Sequence, residues 1–427
     1  MWKKSPIAVL AVLLLIHVLA QVDRNILLGF ATRLEADLSM SNTEYGALIG
    51  AVWVLSFGVM AIVMGALADR FSRTRVVAAG LLVWSLCTAA SGLAHSYWQL
   101  VAARVFVASG EAALVPAAIA LLTELFEPRR RGSAIGVFFM GIPLGIGFSF
   151  VLAGSVGAAH GWRPTFIGLG MAGALIALGL AGLREPASTR ANAAQAGPGS
   201  LRAQLGDVFH VLRCSPALRW TIAGLVLVHF AFVGLSFAQI WLVRERGLDA
   251  AAITRTLGVV ELAFGVLGSL VGGLLGDAYA RGRLERYAHF VMALALVCGP
   301  LMIAYRFVAP GTPLFYAGMA AGAFLPLAAY GPCNALIQAQ VAPHLRATIS
   351  GVAMMLINVF AITLGNLAVG LCVDRLGAAG VHAALTWSLF ATDLLALAAA
   401  PCFAWVASCC ARPSTGDELQ GVTHARV

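Results

Sequence analysis

The sequence predicts an all-α membrane protein of twelve transmembrane helices arranged as two pseudo-symmetric six-helix bundles. Three observations carry this: a composition unsuited to water, twelve apolar stretches of span length, and two short patterns that recur in register. Of 427 residues, 60% are apolar and 11% charged, where a soluble domain carries about 25% charged residues. So few charges cannot cover a water-facing surface of this size, and lipid is the solvent for most of the chain.

A bilayer core of about 30 Å needs about 20 residues of helix. On that rule helices are expected near 7–30, 45–67, 75–95, 98–124, 132–156 and 164–183, then near 218–243, 255–278, 287–308, 313–340, 347–370 and 382–407. Lys3 and Lys4, the apolar run from Ile7 to Leu19 and the small Ala20 imitate a secretory leader. The apolar run resumes past Asp23 and Arg24 as far as Phe30, so the segment reads as helix 1.

Orientation follows the basic residues, of which 28 are present. With the N-terminus inside, 19 fall in cytoplasmic segments and 7 in outer connections, Arg33, Arg163, Arg244, Arg246, Arg255, Arg306 and Arg375. The remaining two, Arg24 and Arg104, fall well inside helices. The positive-inside rule then places both termini in the cytoplasm, as a multi-pass protein of the bacterial inner membrane. A net charge of +9 is spread between apolar runs and forms no face or arm for nucleic acid.

Four segments follow: a bundle over 1–183, a cytoplasmic linker over 184–217, a second bundle over 218–410 and a cytoplasmic tail over 411–427. Ala187–Ser200 is rich in Ala, Gly and Pro and reads as flexible. Beyond it Leu201, Leu205, Val208 and Leu212 share one helical face, with Arg202, Gln204, Asp207 and Arg213 mostly opposite. That pattern predicts an amphipathic helix on the inner leaflet.

The repeats define the architecture. Gly65, Asp69 and Arg73 have the spacing G-x3-D-x3-R, and Gly273, Asp277 and Arg281 repeat it 208 residues later. Pro128, Arg131 and Gly136 have the spacing P-x2-R-x4-G, repeated 215 residues later by Pro343, Arg346 and Gly351. Two patterns at nearly equal displacement imply parallel halves related by an axis along the membrane normal.

The segment Gly65–Arg75, GALADRFSRTR, resembles the loop 2–3 signature of the major facilitator superfamily. Within it the first half is most similar to spinster-type (Spns-like) transporters. The matching residues are Asp23-Arg24, Arg104 with Gly110-Glu111-Ala112, Pro143-Leu144-Gly145, Gly161-Trp162-Arg163 and Arg184-Glu185-Pro186. The resemblance implies alternating access and transport of lysolipids, sphingoid phosphates or related amphiphiles, some with proton coupling. It also implies gating roles for Asp69 and Arg73, with Asp69 facing the N-terminal end of helix 11, and for Asp277 and Arg281 against helix 5. Arg131 belongs to the same gating set. Organic-anion symporters share an acidic-basic pair in helix 1 and a similar helix 4; a proton-coupled organic-anion symporter or a drug efflux pump is the alternative. The order Gly141-Ile142-Pro143-Leu144-Gly145 departs from the drug-proton antiporter pattern.

Ionisable groups inside a membrane are costly and each needs an account. Asp23 lies about 24 Å above Ile7, Arg104 about 9 Å below the outer end of helix 4, and Glu111 about 10 Å deeper on the same face. Asp23 and Arg104 are thus expected to pair. Asp23 and Glu111 are the candidate proton carriers, tuned by Arg104. Candidate substrate contacts are Arg24, Arg104, His17, Gln21, Glu261, His229, Tyr330, Asn334 and Asn358, with Phe57, Phe106 and Phe139 as apolar walls. Asp393, in a peripheral helix, is expected to make an interhelical hydrogen bond.

The eight cysteines show no C-x-x-C spacing, so neither a metal site nor a disulfide framework is expected. No nucleotide loop, H-E-x-x-H or G-x-S-x-G occurs, which argues against an enzyme and against a bound cofactor. The expected partners are a small amphiphilic substrate, protons and membrane lipids, with the chain acting as a monomer. The competing class is a non-transporting membrane receptor.

Overall fold

The computed structural model describes residues 5–70, 72–181, 201–342 and 345–411. Among the described residues, twelve helices are long and apolar enough to cross a membrane. The first half holds α1 Pro6–Gly29, α2 Asn42–Ala61, α3 Thr74–Gly92, α4 Tyr97–Leu125, α5 Arg130–His160 and α6 Trp162–Leu180. The second holds α7 Pro216–Ser236, α8 Ala250–Ala280, α9 Leu284–Tyr305, α10 Pro313–Ala339, α11 Thr348–Ala378 and α12 Ala384–Ala411.

Local chemistry starts these helices. Ser5 accepts from the Ala8 amide with Pro6 in the first turn, and Thr312 with Pro313 repeats the device at α10. Such caps satisfy amides that have no partner within the helix. At α2, Ser41 and Glu44 form a reciprocal capping box.

Packing follows the duplication. In the first half α1 lies on α5 and α3 lies between α4 and α6; in the second α9 lies between α10 and α12, and α7 meets α10 and α12. Each half has its own apolar core, around Leu81, Trp84 and Phe138 and around Leu225, Leu325 and Phe403. Leu55, Val59, Leu175 and Leu274 point outward, as expected of a surface facing acyl chains. The repeated arginines act alike: Arg131 Nε donates to the Phe126 carbonyl and Arg346 Nε to the Gln338 carbonyl, each at the end of its preceding helix.

The halves meet along two seams, α2 with α11 and α5 with α8. Both need glycine. A Cβ on Gly46 would strike the Asn366 carbonyl, and one on Gly370 the Asn42 carbonyl. On the other seam a Cβ at Gly258 would lie 2.6 Å from the Val151 amide nitrogen. Small residues of this kind let helix backbones approach where lipid offers no hydrophobic drive.

Among the described residues, the hydrogen bonds joining the halves gather at the end where α1 finishes, the outer end in the orientation given above. Asp374 accepts from both the amides and the side chains of Asn42 and Thr43. Arg244 pairs with Glu35 at 2.6 Å. Gln239 binds the Thr32 amide and hydroxyl, Tyr45 donates to the Ser236 carbonyl, and Arg255 donates to the Gly154 carbonyl.

The linker helix forms over Leu201–Cys214. Val211 and Leu212 pack against the core of the second half, while Asp207 and Arg213 are exposed.

Candidate functional site

A cavity of ≈ 170 Å³ lies between the halves, walled by α1, α2 and α5 on one side and by α7, α10 and α11 on the other. Its polar lining comes from Gln21, Arg24, Asn25, His229, Ser236, Tyr330, Asn358 and Asn366. Leu28, Ile49, Ile146, Phe232, Leu327 and Met354 are among the apolar residues between them. Among the described residues, Arg24 is the only charged one lining it.

The polar groups are held by their own helices. Asn25 Nδ2 donates to the Gln21 carbonyl, Asn358 Nδ2 to Met354, and Asn366 Nδ2 to Ile362. In each case the amide oxygen stays free of that bond. His229 Nδ1 binds the Leu225 carbonyl, and its ring lies 6.2 Å from that of Tyr330. Two internal prolines, Pro326 and Pro332, lie within the continuous helix α10 on either side of Tyr330. α2 and α11 also widen to i→i+5 turns over Leu48–Val52 and Ile357–Gly365, where they face each other.

Behind Arg24 lies a buried charge cluster within the first half. The guanidinium sits 3.5 Å over the Trp53 ring, a cation–π contact strengthened by desolvation. Trp53 Nε1 donates to Glu111 Oε2 at 2.9 Å. Asp23, Arg104 and Glu111 are all buried. The expected Asp23–Arg104 ion pair is not made. Arg104 Nη2 instead reaches the main-chain carbonyls of Asp23 and Arg24, at 2.9 and 3.4 Å. The helix carbonyls lie nearer than the carboxylate, which faces Trp84 and Thr88 of α3 without completing a hydrogen bond. Both Asp23 oxygens, Glu111 Oε1 and Arg104 Nη1 therefore lack partners.

Of the sequence candidates, Gln21, Arg24, His229, Tyr330 and Asn358 line the cavity. Arg104 does not, being 2% exposed behind α1. His17 is also sealed off, stacked 4.3 Å from Phe138 with Nδ1 on its carbonyl. Asn334 points its amide back to the Tyr330 carbonyl. Glu261 lines a separate pocket of ≈ 30 Å³ with Tyr305 and Arg306. Phe106 is 57% exposed on the outside of the bundle, Phe57 stacks on Trp53, and Phe139 meets His17. Depth along a helix was readable for all of these, but the rotation that decides which face meets the cavity was not.

The gating set divides. The side chains of Asp69 and Arg73 lie outside the described residues. Asp277 is exposed and accepts from Tyr287 of its own half rather than facing α5. Sequence reasoning missed the outer ties altogether, although the Ser41-x-x-Glu44 box and the adjacent Asp374-Arg375 between apolar runs were visible. It also missed Arg306, which forms a buried bidentate pair with Asp393 at 2.7 and 3.1 Å.

Two bundles about a central cavity, with polar groups converging from both, define a membrane transporter. The sequence profile of the Major Facilitator Superfamily matches residues 13–366, and the chain belongs to that family. An MFS-type efflux pump of Mycolicibacterium smegmatis is 30% identical over 409 residues, 94% of this chain and 92% of that protein. The probable sphingolipid transporter spinster homolog 2 of Arabidopsis thaliana is 25% identical over 344 residues, 77% of this chain and 69% of that one. A solved bacterial homolog of the human lysosomal transporter Spinster, inward-facing and occupied, matches with a TM-score of 0.78 at 21% identity, covering 96% and 97% of the two chains. The chain is thus a major facilitator transporter that resembles the spinster group.

Proposed function

We propose that the protein is a proton-coupled secondary transporter of an anionic amphiphile, a lysolipid or related molecule, working by alternating access. It sits as a monomer in the bacterial inner membrane with both termini in the cytoplasm. The observation that carries the reading is Arg24: one cation in an otherwise neutral, largely apolar cavity, joined through Trp53 to a buried acid.

Charge balance supplies the coupling. Asp23, Arg24, Arg104 and Glu111 sum to zero when all are ionised. A proton on Glu111 or Asp23 leaves a net positive cluster, and an anion entering against Arg24 restores neutrality. In a low-dielectric interior such compensation is strong, so proton and anion bind cooperatively and move together. The seal of ties at the outer end supports a state open to the other side, one limb of a rocking cycle.

Binding to purified protein tests the substrate class. Each buried CH₂ contributes about 0.8 kcal/mol, so two added carbons tighten a lysophospholipid roughly tenfold. Arg24→Gln weakens every chain length alike. The second reading, a short organic anion, is favoured by the ≈ 170 Å³ volume, below the roughly 300–1,000 Å³ usual for ligand pockets. Saturable binding of short aromatic or sugar acids alone, with no chain-length dependence, decides for that reading.

A further inference from the structure

A second cavity, of ≈ 770 Å³, opens on the lipid-facing side of the second half between α7 and α11. Ile222, Ala223, Val226, Leu227 and Phe230 form one wall and Leu356, Phe360 and Leu364 the other. Leu212 of the linker helix also lines it, as does Arg219, the only charged lining residue among those described. Arg219 is exposed and makes no ion pair among the described residues. Trp220 next to it is 45% exposed and lies 5.9 Å from Trp405. Tryptophans in such a position mark the level of the lipid headgroups. From Arg219 to Phe230 the groove follows α7 for about 16 Å, about half the thickness of a hydrocarbon core.

We propose that this groove binds one anionic phospholipid, its phosphate on Arg219 and an acyl chain held between α7 and α11. A long apolar slot ending in a single cation at headgroup depth fits that molecule in charge and length. The same helices wall the substrate cavity. Ile357, Asn358 and Ile362 face that cavity while Phe360 and Leu364 face the groove, all within the widened turns of α11. The bound chain thus lies against the back of the cavity wall, and its occupancy stiffens the segment that must move during transport. The inference rests on the membrane-spanning fold alone, and its test reads binding, independently of substrate or protons.

The test reconstitutes the full chain in nanodiscs of equal phosphatidylglycerol and phosphatidylcholine, releases it into detergent and counts retained lipids by native mass spectrometry. Phosphatidylglycerol is expected to be retained over phosphatidylcholine by about fivefold, the effect of one interfacial basic charge. Arg219→Gln abolishes the preference. Ala223→Trp, which fills the groove, abolishes retention of both lipids. Thermal melting confirms that each variant is folded. Equal retention of the two lipids, an unchanged preference in Arg219→Gln, or a dimer occupying the face in place of lipid overturns the proposal.

Discussion

The Asp374 carboxylate of α11 caps the first turn of α2 in the opposite half, accepting the Thr43 amide at 2.8 Å and its hydroxyl at 2.5 Å. A carboxylate at a helix N-terminus meets unpaired amides and the positive end of the dipole. Asp374→Asn keeps one oxygen and loses the charge. Hydrogen bonds to charged groups are worth about 1.5–3 kcal/mol, so the outer-closed population should fall at least tenfold relative to the outer-open one. Electron–electron resonance between nitroxides at Ala36 and His382, with native cysteines replaced, reads this as a gain in the long-distance population. An unchanged distribution removes Asp374 from the gate.

Glu35 should make the same outer contact responsive to pH. It lies beyond α1 in the outer helix Ala31–Leu38, buried, and facing Arg244, Asp374 and Tyr45. Burial pushes its carboxyl up to about 7; the Arg244 charge opposes this and Asp374 adds to it. When the gate opens, the carboxyl returns to the ordinary value of about 4.3. The closed state therefore binds the proton more tightly, and acidification from about pH 7 toward pH 4.3 favours closure. Above pH 7 that advantage is lost. The ion pair at 2.6 Å alone suggests the reverse, which makes the sign informative. The same nitroxide pair should report more closed protein at pH 5.5 than at pH 8, and Glu35→Gln should erase the difference. More closed protein at pH 8 refutes the assignment.

The Arg306–Asp393 pair tests packing apart from transport. Both side chains are buried, with Arg306 also 4.8 Å from the Trp241 ring. Removing one partner of such a pair costs about 3–5 kcal/mol, whereas an apolar replacement of both is often neutral. Asp393→Leu should lower the melting temperature of the purified protein markedly, and Arg306→Met with Asp393→Leu should restore most of it. Equal losses in single and double variants contradict this.

Much of the fold was legible because lipid imposes a simple rule on length and polarity. Every expected span has its helix, and the duplicated patterns sit at inner helix ends: Gly65 and Asp69 in the last turns of the helix Trp53–Arg70, and Gly273 and Asp277 in the last turns of α8. The site was less legible. Spacing placed Asp23, Arg104 and Glu111 at compatible depths, and they do share one buried cluster. It could not show that Arg104 prefers the α1 carbonyls, or that Trp53 of α2 enters between Glu111 and Arg24. Contacts between helices far apart in sequence depend on rotation and tilt, which a period of 3.6 residues constrains only modulo a face. The acid-to-helix-terminus device was expected from Asp69 at the inner end. Asp374 uses the same physics at the other end, where nothing in the repeat pointed.

Proton carriage by the buried acids makes a distinct demand. Asp23→Asn and Glu111→Gln should each abolish accumulation of substrate against its gradient in proteoliposomes energised by a pH step. Downhill exchange and detergent melting temperature should stay near those of the parent. Full uphill activity in both variants would exclude them as carriers.

If proton and anion bind cooperatively, their fluxes are stoichiometric, and proton flux into vesicles reads this. Proteoliposomes holding a pH-reporting dye, at equal pH inside and out and with potassium and valinomycin clamping the voltage, receive lysophosphatidic acid on the outside. The lumen should acidify as the lipid enters, Arg24→Gln should slow both movements together, and Glu111→Gln should pass lipid without acidification. Lipid entry with an unchanged or alkaline lumen in the parent protein would contradict cooperative binding.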